Sequence, residues 1–263
     1  MKVLTHAASP AALLFLLAAT TAQAASFDCS KAGNKVERLI CNDKTLSNLD
    51  GDLGKRYQET LELAAAPKEI VQTQRNWLAE RNRCPDAACL TQAYRERITV
   101  LGKTTLAGWK TYRDPRLKIS FEYLENRQVK PCPATFGKDC IALIGHNMAG
   151  SDYLIAFHVK TGGLEKVAQE EAGFEQQGSK WMTTFGRGMP VEVEQFSGTG
   201  WKGMKATITC GISDKKTGFH AAGGECLWAV MSNGKRSVVA DTQGIVGNDA
   251  NTLRSINSLQ FEP

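Results

Sequence analysis

The chain is poor in histidine, with four residues among 263. It contains no C-x-x-C, G-x-S-x-G, H-E-x-x-H or G-x-x-x-x-G-K. Their absence removes the usual signatures of zinc and thiol-redox sites, serine hydrolases, zinc peptidases and phosphate-binding loops. A serine triad would have to draw its base from His146, His158 or His220. His158 falls in an expected strand and reads as a satisfied structural histidine. No catalytic residue, metal ligand or cofactor is assigned, and the chain reads as a non-enzyme. Charge of one sign is not massed either. Without Lys2 the balance is 31 basic against 27 acidic residues, with no basic run of the kind that tracks phosphates, so nucleic acid is not a partner. No apolar run is long enough to span a bilayer, which takes about 20 residues.

An N-terminal leader and eight cysteines are present. Met1 and Lys2 supply a short positive start, 11–21 is almost wholly apolar, and Ala22-Gln23-Ala24 has the small-x-small form that signal peptidase cuts. Residues 1–24 are therefore read as a signal peptide, with a mature chain in the periplasm or secreted and no integral membrane segment after cleavage. In that oxidising setting Cys29, Cys41, Cys84, Cys89, Cys132, Cys140, Cys210 and Cys226 read as a disulfide framework. Eight cysteines leave many connectivities open. Sequential pairing is the expectation, and links such as Cys29 to Cys84 or Cys41 to Cys89 are its rivals. Ala25-Ser26-Phe27-Asp28 before Cys29 is not a lipobox, so soluble export is expected rather than a lipid anchor.

Two periodicities divide the mature chain. Across 36–106 apolar residues recur at helical spacing. Val36, Leu39 and Ile40 make a short face. Thr45 is the expected N-cap for a face of Leu46, Leu49, Leu53, Tyr57, Leu61 and Ala64. Pro67 suits the first turn of a third helix carrying Ile70, Gln74, Trp77, Leu78 and Arg81. Cys84-Pro85-Asp86 breaks it, and a fourth helix carries Leu90, Tyr94, Ile98 and Leu101. From 118 onward the rhythm is period two, with expected strands at 119–123, 141–144, 153–159, 191–196, 206–211, 226–231 and 237–240. Asn233-Gly234 signals a hairpin between the last two. Asn248 or Asp249 would cap a late helix bearing Leu253, Ile256 and Leu259. The expected fold is α+β: a small disulfide-stapled helical bundle, then a mainly antiparallel β-sheet domain with a late C-terminal helix. The divisions are a helical domain at 25–103, a linker at 104–117 and a sheet domain at 118–263.

The helical half resembles a known family. Phe27-Asp28-Cys29, then Val36-Glu37-x-x-Ile40-Cys41, then Leu49-Asp50-x-x-Leu53-x-x-x-Tyr57 look like the N-terminal domain of LprI-type lysozyme inhibitors. Gln74-Arg75-x-Trp77-Leu78-x-x-Arg81-x-x-Cys84 and Cys89-Leu90-x-x-x-Tyr94-x-x-Arg97-Ile98 continue the likeness, which spans roughly 27–101. The resemblance implies a secreted or periplasmic helical domain whose protein partner is lysozyme or another cell-wall hydrolase. Among the motif residues, Tyr57, Trp77 and Tyr94 fall on inward faces, and Asp50, Arg81 and Arg97 sit beside them, placed to pair across helices. All six read as structural. The sheet half is similar in outline to PsbP-like sheets, from which no function is carried over.

Two stretches outside the motif could contact a ligand or partner. The loop 197–204 (SGTGWKGM) surrounds Trp201 and Lys202 with small residues that could bring backbone close to a ligand, although a long hairpin whose Trp covers the sheet is the favoured reading. Gly186-Arg187-Gly188 is a second turn with a cation. Glu192 and Glu194 alternate on an expected strand, where paired carboxylates could serve a glycosidase but more often form a solvated face; Glu170-Glu171 reads the same way. Two functions follow: an exported envelope protein that inhibits lysozyme or a related peptidoglycan-cleaving enzyme, or a non-inhibitory envelope binding or immunity module that recognises its partner through the sheet domain. Oligomeric state is not readable from the sequence.

Overall fold

The computed structural model describes residues 25–146, 148, 152–184, 189–214, 219–242 and 250–263, with backbone alone at 211–214 and 219–224. The expected signal peptide at 1–24, Arg187 with its flanking glycines, and the cap positions Asn248 and Asp249 lie outside the described residues.

A 3-10 turn at Cys29–Lys31 precedes α1 (Lys35–Asn42), α2 (Lys44–Leu63), α3 (Pro67–Arg81) and α4 (Ala87–Gly102). Each start has a local cause. Asn34 and Glu37 form a reciprocal capping box on α1, Pro67 opens α3, and Asp86 Oδ1 accepts from Cys89 N on α4. The cap of α2 is Asp43 rather than Thr45: Asp43 Oδ1 accepts from both Thr45 N and Leu46 N, so the helix begins at Lys44. The bundle core is Ile40, Leu46, Leu53, Leu90 and Tyr94, with Leu49, Tyr57, Trp77 and Ile98 packed against it. Fully burying each aliphatic side chain contributes about 1.5–3 kcal/mol. The bridges Cys29–Cys41 and Cys84–Cys89 staple the ends of this small core.

The strands are β1 (Trp109–Asp114), β2 (Ile119–Leu124), β3 (Gln128–Pro131), β4 (Cys140–Ile144), β5 (Ile155–Thr161), β6 (Phe174–Gln177), β7 (Lys180–Thr183), β8 (Val191–Glu192), β9 (Glu194–Gly198), β10 (Trp201–Asp214), β11 (Phe219–Ser232), β12 (Arg236–Thr242) and β13 (Gln260–Phe261). Helix α5 (Leu164–Ala172) follows β5, and α6 (Ala250–Asn257) precedes β13. Among the described residues the central sheet has the order β3-β4-β5-β12-β11-β10-β9, and two smaller sheets have the orders β1-β2-β13 and β6-β7-β8. Every pairing is antiparallel, so the fold class is α+β.

Alternation along the central strands feeds two cores. One face, with Phe157, Ala229, Met231 and Val238, packs on β2 and α6 through Phe121, Ile256 and Leu259. The other, with Met204, Ile208, Val230 and Val239, packs on α5 and the β6–β8 sheet through Val167, Phe174 and Trp181. Cys132–Cys140 and Cys210–Cys226 close within this half, so among the eight cysteines each is bonded to its sequence neighbour and none is free. The Asn233-Gly234 turn joins β11 to β12, with Gly234 at φ 91°.

Three departures from the expected elements have local reasons. Trp109–Asp114, placed in the linker by composition, is a strand; its solvent-side residues are Lys110, Thr111 and Arg113, which hide the alternation. The single expected strand at 191–196 breaks at Val193, which is buried and donates to Trp181 O at 2.8 Å. Its two halves join different sheets, so Glu192 and Glu194 are not a pair. Glu192 meets Lys180 at 2.7 Å and Glu194 meets Lys205 at 3.2 Å. Finally α5 and the β6–β7 hairpin have polar outer faces and few apolar anchors, and the sequence pattern passes over them.

Candidate functional site

Four of the six motif residues of the helical half, Asp50, Tyr57, Trp77 and Arg81, line one groove of about 700 Å³ between α2, α3 and the N-terminal segment, while Tyr94 and Arg97 bond to residues that line it. At its floor Asp50 of α2 is 4% exposed and Arg81 of α3 8%, and Tyr94 of α4, bonded to both, is 0% exposed. Tyr94 OH donates to Asp50 Oδ1 at 2.6 Å and accepts from Arg81 Nη1 at 3.0 Å. Arg81 Nη1 also lies 3.7 Å from Asp50 Oδ1. The other carboxylate oxygen, Oδ2, accepts from Ser26 N at 2.7 Å and Ser26 Oγ at 2.6 Å. One carboxylate thus ties three helices and the leading segment together. Gly54 makes the fit possible, because a Cβ there would press on Ser26 Cβ at 3.0 Å.

The remaining motif residues extend this brace. Trp77 Nε1 donates to Ala93 O at 3.3 Å, and its ring meets Tyr94 edge-on at 5.3 Å between centroids. The Arg81 guanidinium sits 5.6 Å from the Trp77 ring centroid. Arg97 Nε donates to Gln74 Oε1 at 2.8 Å, and its Nη2 to Thr73 Oγ1 at 3.1 Å. Tyr57 is half-buried against the core. Burial pushes the Tyr94 phenol well above its ordinary value, with Asp50 adding to the effect, and burial pulls Arg97 down. A phenol held protonated next to a bonded carboxylate and guanidinium is a closed circuit of donors and acceptors. Its chemistry is to hold shape. The groove rim, by contrast, presents Phe27, Tyr57 and Trp77 edges beside exposed Gln58, Arg75 and Asn82.

The second set of sequence-selected residues is not assembled into a site. Trp201 is buried; its indole donates to Leu259 O at 2.7 Å and stacks edge-on against Phe196. The small residues around it serve that ring, since a Cβ on Gly198 would overlap it. Lys202 is exposed at the turn, and Arg187 lies outside the described residues. His158 Nε2 is 3.1 Å from Asp241 Oδ2, and Tyr153 OH donates to the other oxygen at 2.6 Å, so the strand histidine has a partner. Glu170 and Glu171 face Lys166 and Lys160. The side chain of His220 is not described. Among the described residues no cluster of ligating side chains could hold a metal.

Sequence reasoning missed the groove's minor partners: Ser26, Thr73 and Gln74. Gln74 lies on the face expected to be apolar, and an amide at an inward helical position asks for a polar partner. It was the available signal.

The stapled helices with an antiparallel sheet half define a disulfide-bonded α+β protein, and disulfides persist in oxidising compartments, which suits an envelope or exported protein. The curated relatives agree: the chain is 32% identical over 99 residues, 34% of its own length, to the proteins named Lipoprotein LprI of Mycobacterium bovis and Mycobacterium tuberculosis. It spans about half the length of these relatives, 49%. The likeness to LprI therefore holds for a segment. No family model matches the chain. Two solved structures overlap it at 10% identity and a TM-score of 0.36: a Bacteroides thetaiotaomicron protein, covering 59% of this chain and 48% of that one, and cyanobacterial PsbP (CyanoP) of Synechocystis, covering 61% and 96%. Among the described residues no helix is long and apolar enough to cross a membrane.

Proposed function

We propose that this is an exported envelope protein whose LprI-like helical segment binds and inhibits lysozyme or another peptidoglycan-cleaving enzyme, and that it carries out no chemistry itself. The observation that supports this most is that four LprI-like motif residues, Asp50, Tyr57, Trp77 and Arg81, line one braced groove, together with the segmental identity to LprI. An inhibitor gains affinity by being ordered before it binds, because less side-chain and backbone freedom is lost on association. Two disulfides and the Asp50–Arg81–Tyr94 circuit supply that order. The contact surface in this reading is the groove rim, where Tyr57 and Trp77 offer aromatic anchors and Gln58 and Asn82 offer hydrogen bonds.

Long-range attraction plays little part. Residues 25–103 carry 13 basic and 11 acidic side chains, so a cationic enzyme is not steered by net charge. Gel filtration of the mature chain mixed with lysozyme tests the reading. A co-eluting complex is expected, and Tyr57→Ala with Gln58→Ala should weaken it. Separate elution at tens of micromolar of each protein would overturn the reading for that enzyme.

A further inference from the structure

A second cavity, of about 630 Å³, lies where the helices meet the sheet half. One wall is α3, whose Lys68, Val71 and Arg75 stand at positions i, i+3 and i+7 and so share a face. The facing wall carries Asn126, from the turn after β2, and His146, just past β4. Two polar atoms here lack partners. Asn126 Nδ2 donates to Glu62 O at 2.8 Å and Ala64 O at 3.0 Å, which fixes the amide's orientation and leaves Oδ1 buried and unbonded. His146 Nε2 is also buried and unbonded. Native structures rarely leave such atoms without a partner.

The chemistry of these atoms limits the ligand. Asn126 Oδ1 can only accept, so it needs an N–H or O–H. His146 Nε2 takes the complementary role. Burial lowers His146 below the ordinary histidine value, with Glu62 opposing and Arg127 reinforcing the shift, so the ring is neutral at neutral pH. A peptide backbone presents both N–H donors and C=O acceptors, on opposite sides of each trans amide. Lys68 and Arg75 are exposed, and neither is ion-paired among the described residues. Two helical turns apart, they stand about 10 Å from one another along the helix, roughly the length of three extended residues. Glu69 also lines the cavity, an acidic side chain between Lys68 and Arg75 in the sequence. The volume falls within the range of about 300–1,000 Å³ usual for small-ligand sites.

We propose that this cavity is a binding site for a short N-acylated acidic peptide, its amides meeting Asn126 Oδ1 and His146 Nε2 and its carboxylates meeting Lys68 and Arg75. The site stands apart from the inhibitory reading and does not depend on it. Arg75 borders both the cavity and the groove, so the decisive variants are at Lys68 and His146. The test is titration of N-acetylalanylglutamate into the isotope-labelled mature protein, followed by amide chemical shifts. Saturable shifts are expected in the first turns of α3 and around Asn126 and His146. The dipeptide with both carboxyls amidated should bind at least about tenfold more weakly, a factor worth about 1.4 kcal/mol. Lys68→Gln and His146→Phe should each weaken binding about fivefold or more, whereas Asn82→Ala on the groove rim leaves it unchanged. Lys68 is exposed, so Lys68→Gln reports even if His146→Phe fails to fold. Absence of saturable shifts at millimolar dipeptide, shifts mapping elsewhere, equal binding of the amidated dipeptide, or unchanged affinity in Lys68→Gln would overturn the proposal.

Discussion

Asp50→Ala should be the most destabilising single polar substitution in the helical half. It removes the acceptor for Ser26 N, Ser26 Oγ and Tyr94 OH, and the counter-charge of Arg81. Arg81 and Tyr94 stay behind, 8% and 0% exposed, with a largely buried charge and a buried hydroxyl. Removing one partner of a buried pair costs about 3–5 kcal/mol. Small cores rarely supply more than about 3–5 kcal/mol, so the loss is comparable to what holds the bundle together. With a urea m-value near 2 kcal/mol/M, a loss of about 4 kcal/mol moves the midpoint down by about 2 M. Far-ultraviolet circular dichroism during urea unfolding, with disulfides intact, reads it. The charge argument has its own control: Asp50→Leu, Arg81→Met and Tyr94→Phe combined remove every member of the circuit and should recover most of the loss, since a buried ion pair replaced by apolar groups is often neutral. A midpoint shift below about 0.5 M in Asp50→Ala, a loss of roughly 1 kcal/mol, would refute the brace.

Trp201→Ala should cost about 3–5 kcal/mol by leaving a cavity against Phe196 and an unpaired Leu259 carbonyl; Gly198→Ala should destabilise through overlap with the same ring, both read by thermal unfolding of the sheet half. His146, whose folded value is depressed, binds fewer protons folded than unfolded, so its contribution is whole above the unfolded value of about 6.5 and is lost as pH falls through the folded one. Wild type should therefore lose more stability than His146→Gln between pH 8 and 5, and parallel curves would contradict this. Cutting the chain between Lys103 and Gly108 should release a helical piece that stays folded, because the bundle core and the sheet cores share no buried residue; circular dichroism of the separated pieces checks it.

The helical half was legible because its signals are local: three-and-four spacing, Pro67 at a helix start, Cys84-Pro85-Asp86 as a break, and cysteines close enough in sequence to meet without long-range order. The sheet half was legible where both cores draw on one strand, as in 226–231, and opaque where only one face is buried and the other is rich in Lys, Glu and Gln, as in β1 and β6. The braced site was half legible. Asp50, Arg81 and Tyr94 were placed near one another by helical phase, but the partner Ser26 comes from an irregular segment with no period to read. Trp201 read as a ring covering the sheet or a contact in an open loop; it is buried, and Gly198 is the room the ring needs, a close approach that only tertiary packing shows. The junction cavity had no sequence signal at all, because Asn126 and His146 meet Lys68 only through tertiary folding.

The inhibitory claim is tested most directly by the rate at which lysozyme clears a cell-wall suspension as mature protein is added. The account predicts a saturating fall in rate, reached near equimolar protein when both are well above the dissociation constant, and lost in Asp50→Ala under conditions that unfold its helices. A clearing rate that stays constant up to a large excess of correctly folded, fully disulfide-bonded protein would contradict it.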